Sequence, residues 1–226
     1  MKKIIVAIAS LAISMMAFAS DPYQLRCEDN RIENDLLKQA PHGAKRTGKH
    51  VLEIKYSGGV RKFIDKPPYD ELVDGINTEG LSWEYCGYNE IVKAHLILKR
   101  DNVKHESYTG SLLFEETGKI VKAGYSVTFS PNKRNFVAFQ RYGGDGEFWD
   151  LFDTSGHKLW REFSYIILPV KPSDSYSQEV AEFENPTLSD DLEISAHMTC
   201  WQSKKSGSVT LKKIGAKWVW HPKIEC

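Results

Sequence analysis

The chain has 226 residues, with 30 Lys and Arg balanced by 30 Asp and Glu, 12% aromatics and four cysteines. Zero net charge excludes the broad positive field that drives nucleic-acid binding and the polybasic patch of a membrane-surface binder. At 41% hydrophobic residues the chain can bury one core of ordinary size.

The first elements concern export. Met1, Lys2 and Lys3 precede a nearly unbroken apolar run from Ile4 to Phe18, and Ala17-Phe18-Ala19 supplies the small-x-small pattern of a cleavage site. A spanning helix needs about 20 apolar residues, and this run is shorter. Residues 1–19 therefore read as a bacterial Sec-type signal peptide, and residues 20–226 as a single β-rich domain, periplasmic or secreted. No membrane insertion is expected after cleavage. Cys27 lies too far downstream to be a lipidated cysteine. In an oxidising compartment the even cysteine count implies disulfides. Of the three connectivities open to Cys27, Cys86, Cys200 and Cys226, the reading favours Cys200 with Cys226, because a β-hairpin lies between them. Cys27 and Cys86 would then staple the N-terminal segment to the body. With no Cys-x-x-Cys and no zinc-like histidine spacing, no metal is expected.

Downstream, residues 31–39 suggest a short helix with Ile32, Leu36 and Leu37 on one face, ended by Pro41-His42-Gly43. Two strands, 50–56 and 60–65, flank the hairpin signal Ser57-Gly58-Gly59. Residues 67–80 read as loop. Strands follow at 91–100, 111–115, 120–123, 125–129, 135–142, 147–152 and 158–163. Their connections carry turn chemistry: Glu116-Thr117-Gly118, Ser130-Pro131-Asn132-Lys133, Gly143-Gly144-Asp145-Gly146 and Thr154-Ser155-Gly156. Phe136 to Phe139 is apolar on both faces, the pattern of a central strand. Residues 164–192, with Pro169, Pro172 and Pro186, read as one long connection. The last strands fall at 193–201, 208–214 and 216–221.

A weak repeat runs through the middle. Leu113-Phe114-Glu115-Glu116-Thr117-Gly118 is echoed by Leu151-Phe152-Asp153-Thr154-Ser155-Gly156, the glycines 38 residues apart. A period near 40 suits a β-propeller blade. The fold class is thus all-β and mainly antiparallel: a partial β-propeller-like body or a twisted β-sandwich, with a short N-terminal helix and disulfide staples.

Catalytic chemistry is sparse. No Gly-x-Ser-x-Gly elbow occurs. Ser130-x-x-Lys133 has the spacing of penicillin-binding enzymes, but it sits in a Pro- and Asn-containing turn with no Lys-Thr-Gly partner. His197, Met198 and Cys200 cluster as a soft metal site would, yet strand alternation makes Met198 core and His197 surface. Asp145, Glu147, Asp150 and Asp153 do not match the calcium-loop pattern. Trp149, Trp160, Trp218 and Trp220 suit either sugar stacking or core. No cofactor motif is present. Loops on a rigid scaffold remain as candidate contact sites: Tyr142, Gly143, Gly144, Asp145 and Gly146 at one hairpin tip, and Ser175 and Tyr176 in the Ser/Tyr-rich segment 173–178.

The run Gly124-Tyr125-Ser126-Val127-Thr128-Phe129-Ser130-Pro131, followed by Phe136-Val137-Ala138-Phe139, Leu151-Phe152-Asp153 and Lys158-Leu159-Trp160, resembles the blade segment of small periplasmic immunity proteins that neutralise type VI secretion cell-wall amidases. The resemblance covers residues 124–160. It implies a signal peptide, a β-rich incomplete-propeller body, disulfides, and inhibition by a loop inserted into the enzyme's active site. No inhibitory residue can be carried over. The expected function is a non-enzymatic exported binding protein with a protein partner, an inhibitor or immunity protein against an envelope-acting toxin or cell-wall hydrolase. The alternative is an envelope carbohydrate- or peptidoglycan-acting hydrolase using paired carboxylates, which would require a cleft with convergent acidic side chains.

Overall fold

The computed structural model describes residues 22–27, 33–40, 43–66, 80–101, 107–141, 147–169 and 178–226. The signal segment 1–19 and the contact candidates Tyr142 to Gly146, Ser175 and Tyr176 lie outside the described residues.

Among the described residues the body is antiparallel β, with one short helix, α1 (Glu33–Gln39). Its strands form four sheets, each a run of sequence neighbours. The first contains β2 (Ala44–Arg46), β3 (Val51–Tyr56) and β4 (Gly59–Ile64). The second contains β5 (Leu81–Asn89), β6 (Ala94–Asp101), β7 (Ser107–Phe114) and β8 (Ile120–Ala123). The third contains β9 (Ser126–Phe129), β10 (Asn135–Arg141), β11 (Glu147–Asp153) and β12 (Lys158–Phe163), with β1 (Gln24–Arg26) added beside β9. The fourth contains β13 (Tyr165–Leu168), β14 (Glu179–Leu188), β15 (Ile194–Cys200), β16 (Ser206–Ile214) and β17 (Lys217–His221).

The sheets stack in chain order. Leu52, Ile54 and Phe63 of the first meet Ile97 and Leu113 of the second, with Leu36 and Leu37 of α1 against them. Leu96, Leu98 and Leu112 of the second meet Phe129, Phe136 and Phe152 of the third. Val137, Phe139, Trp149 and Leu151 of the third meet Phe183, Ile194, Met198 and Trp220 of the fourth. β10 thus sends Phe136 and Ala138 one way and Val137 and Phe139 the other, so its uniformly apolar sequence reflects burial on both faces.

Bent strands join the layers. β8 pairs with β7, and one corner later the same chain, as β9, pairs with β10. At that corner a β-carbon on Gly124 would overlap the Phe139 carbonyl, and one on Gly110 would overlap the Gly124 carbonyl. Only glycine permits so close a backbone crossing. A second corner at Ser164 passes the chain from β12 to β13, held by Ser164 N donating to Glu147 O and Phe183 N donating to Ser164 O, at 2.9 and 2.8 Å. Strands that change sheets at corners belong to sandwich-type stacking, while the up-and-down order within each sheet is what a blade also shows.

The repeat seen in sequence is structural. Gly118 closes the β7–β8 turn and Gly156 the β11–β12 turn, the third hairpin position of successive four-strand units, and both have positive φ, 64° and 86°. The disulfides are Cys27–Cys86, which ties β1 to β5, and Cys200–Cys226, which ties the chain end to β15.

One reading is corrected. Residues 164–192 are not a single connection: they hold β13 and the whole of β14. The three prolines and the polar stretch hid these strands. Pro186 falls where the β14–β15 register shifts between Glu184 and Thr187, with Asn185 at φ 50°. A bulge is one of the few places in a sheet where the missing N–H of proline is tolerated.

Candidate functional site

Between the third and fourth sheets the stack opens into a cleft of about 960 Å³. One wall is the outer face of β13 and β14. Strand alternation turns Ile166, Leu168, Ala181 and Phe183 to the core, which leaves Tyr165, Ile167, Val180, Glu182 and Glu184 facing out. The other wall is the open edge of the third sheet, with Gln24 and Arg26 of β1 and then Tyr125 at the corner. Phe139 and Trp149 form the floor with Glu147 above them.

The acidic groups are held in place. Glu147 accepts hydrogen bonds at both oxygens, from the Tyr125 hydroxyl at Oε2 and from Trp149 Nε1 at Oε1, the latter at 2.8 Å. Glu182 accepts from Trp201 Nε1 at 2.9 Å. Trp201 lies just past β15 and remains 50% exposed, and Ile167 is 56% exposed. Two large apolar side chains therefore stand in solvent beside oriented carboxylates. Aromatic anchors rimmed by charge are what protein-recognition surfaces present.

The turn carrying Trp201 is fixed by a buried carboxylate. Glu179 is 3% exposed and accepts backbone N–H bonds from Gln202 (2.9 Å), Ser203 (3.0 Å) and Val180 (3.2 Å). Burial pushes its carboxyl up, but these donors together outweigh it, so Glu179 titrates below the usual carboxylate value.

Other charged groups serve structure. Asp150, fully buried, accepts from Gln140 (2.7 Å) and from Arg161 Nε and Nη2 (2.7 and 2.8 Å), with Lys158 at 3.1 Å. A carboxylate held by two cations and an amide is an ion-pair node, so the Glu147, Asp150 and Asp153 run is divided: Glu147 enters the cleft, Asp150 is paired inside, and Asp153 caps its own turn through Ser155 and His157. Arg46 joins Glu33 of α1 to Asp65 (3.0 and 2.8 Å) and donates to Trp83 O, which docks the helix on the sheets. Tyr85 and His95 form a buried hydrogen-bonded pair at 3.1 Å, and burial raises the Tyr85 phenol.

Most chemistry-bearing motifs resolve into architecture. Ser130 Oγ donates to Asn132 Oδ1 (2.8 Å) inside the β9–β10 turn. Met198 is core, His197 exposed and Cys200 bonded. Trp149 and Trp220 are buried, and Trp160 leans on Trp218 at 6.0 Å. Among the described residues no group of three or more His, Cys, Asp or Glu is arranged to hold a metal, and no helix is long and apolar enough to cross a membrane. The sequence singled out Glu147 and Trp149 for other chemistries. It missed Ile167, Glu182 and Glu184, which lay inside the presumed connection, and Trp201, which reads only as a strand end.

Residues 142–146 are followed directly by Glu147, and residues 170–177 are bracketed by β13 and β14, whose Ile167 and Val180 line the wall. Comparison of the chain with protein-family models, with curated proteins and with solved structures finds no match, so the resemblance to amidase immunity proteins rests on sequence pattern alone.

Proposed function

We propose that this is an exported binding protein, an inhibitor or immunity protein that occludes an envelope-acting toxin or cell-wall hydrolase, and that it engages its partner at the acid-rimmed cleft between the third and fourth sheets. The carrying observation is the pairing of exposed Ile167 and Trp201 with carboxylates fixed by internal donors. Surface so arranged offers anchors and orientation without new ordering cost. The leader-like N-terminus and the two disulfides support export. The test is capture of a partner from periplasmic extracts of the producing cell and its competitors, repeated with Trp201→Ala. A partner lost on that substitution, together with loss of protection during cell contact on deletion of the gene, supports the reading. Equal capture by both proteins, or no deletion phenotype, overturns it.

One observation favours a second reading. The lining of the cleft includes Glu147, Glu182 and Glu184, and a carboxylate-dependent hydrolase works with a pair of such groups. Solubilisation of peptidoglycan or oligosaccharide by the wild type, abolished in Glu147→Gln and Glu182→Gln, would establish that activity in place of inhibition.

A further inference from the structure

We propose that two copies of this chain associate through the outer face of the fourth sheet, each laying its C-terminal hairpin over the other's cleft. Among the described residues seven large apolar side chains are exposed, and four of them, Ile167, Trp201, Ile214 and Val219, belong to this one sheet or the turn beside it. Scattered apolar exposure is ordinary; here the four fall on one face, as two pairs at its opposite corners.

The face is polarised along its diagonal. One corner, on β13 and β14, carries Ile167, Trp201, Glu182 and Glu184. The register continues outward-facing positions from Glu184 to His197 and Ser208. The opposite corner, on β16 and β17, carries Lys212, Val219, Ile214 and Lys217, with Lys212 opposite Val219 and Ile214 opposite Lys217. Lys212 also meets Glu193 at 2.9 Å, a half-exposed pair that solvent weakens. Between the corners lie small polar side chains, including Ser195 and Thr210, 3.1 Å apart. These leave a low central strip across which a second sheet can approach.

A two-fold axis in the plane of contact, crossing β15, would set the acidic corner of each copy over the basic corner of the other. The same patch then serves both partners, as closed symmetry requires. Five strands at ~4.8 Å spacing, and about seven residues at ~3.3 Å each, give a face of roughly 550 Å² per copy. The total of about 1,100 Å² lies at the small end of specific interfaces. The association is therefore weak and salt-sensitive, and a partner that needs the cleft can displace it.

The inference needs no partner, so it is tested on the processed protein alone, by sedimentation velocity from low micromolar to submillimolar concentration at two ionic strengths. The wild type should show a monomer–dimer equilibrium that weakens in salt. Glu182→Lys with Glu184→Lys, and separately Lys212→Glu with Lys217→Glu, should each weaken self-association at least about tenfold, because like charges then face each other. Mixed in equal amounts, the two variants should pair with each other, since both corner contacts regain opposite charge. Recovery in the mixture cannot come from misfolded variants. A wild type monomeric at every concentration, variants that still self-associate, or a mixture that stays monomeric would each overturn the proposal. Each of those results leaves the partner-binding reading standing.

Discussion

The third and fourth sheets are both antiparallel and five-stranded, the fourth a plain meander and the third a four-strand meander with β1 added at its edge, and they differ in how many neighbours they have. The third lies between two layers, so β10 reads Phe-Val-Ala-Phe, with every one of these side chains buried. The fourth ends the stack, so β15 alternates buried Ile194, Ala196, Met198 and Cys200 with outward Ser195, His197 and Thr199. The inner sheet spends its sequence on apolar contact. The outer one needs only half its side chains for the core and turns the other half outward.

Cutting the inner sheet should have the largest effect. Phe136 is fully buried and stacks on Phe152 at 5.3 Å, so Phe136→Ala should cost ~3–5 kcal/mol by urea unfolding. A loss under ~1 kcal/mol would show that the third sheet is not the rigid centre of the stack. Next come the staples. In the chain-entropy account, the 59-residue separation of Cys27–Cys86 corresponds to about 4 kcal/mol and the 26-residue separation of Cys200–Cys226 to about 3.5 kcal/mol. Each double Cys→Ala variant should melt well below the wild type. The first should lose more, and a reversed order would point to strain or residual structure rather than loop closure.

Where sequence reading succeeded, local pattern and tertiary role agreed. β8 and β12 were read at their observed bounds because alternation and glycine turns flank them, and Gly118 and Gly156 marked equivalent turns because both sit at positive φ. β14 was missed because Pro186 argues against a strand unless a bulge receives it, and a bulge depends on β15 being alongside. The cleft was missed for a related reason. Its walls are drawn from positions as far apart as Gln24 and Trp201, brought together by corners at Gly124 and Ser164 that carry no motif.

The outer sheet has its own internal anchor, and sufficient acid should release it. Glu179 titrates below the ordinary glutamate value in the folded state, so its ionised form is favoured by folding. That contribution is present above the unfolded value and fades as pH falls through the folded one. Glu179→Gln should lower Tm at neutral pH and flatten the acid limb of the Tm–pH curve below about pH 4.5. Trp201 fluorescence should report the loosened turn, since Gln202 and Ser203 lose a charged acceptor. An unchanged acid limb would assign acid sensitivity to other carboxylates, among them Glu53, which the Lys62 hydrogen bond also holds low.

The smallest effect is expected on the outward face itself. Val219, on β17, and Ile167, on β13, are 39% and 56% exposed, so Val219→Ser and Ile167→Ser should change stability by no more than about 0.5 kcal/mol in dilute solution. Their depth in the comparison comes from concentration. If the free protein covers this face with a second copy, the wild-type Tm should rise with protein concentration by mass action, while the Ser variants should show a flatter dependence and diverge from the wild type only at the concentrated end. A wild-type Tm independent of concentration would mean that the face stays bare in the free protein. The exposed side chains would then act solely on the partner, and capture by the Ser variants would be the measurement that separates their contributions.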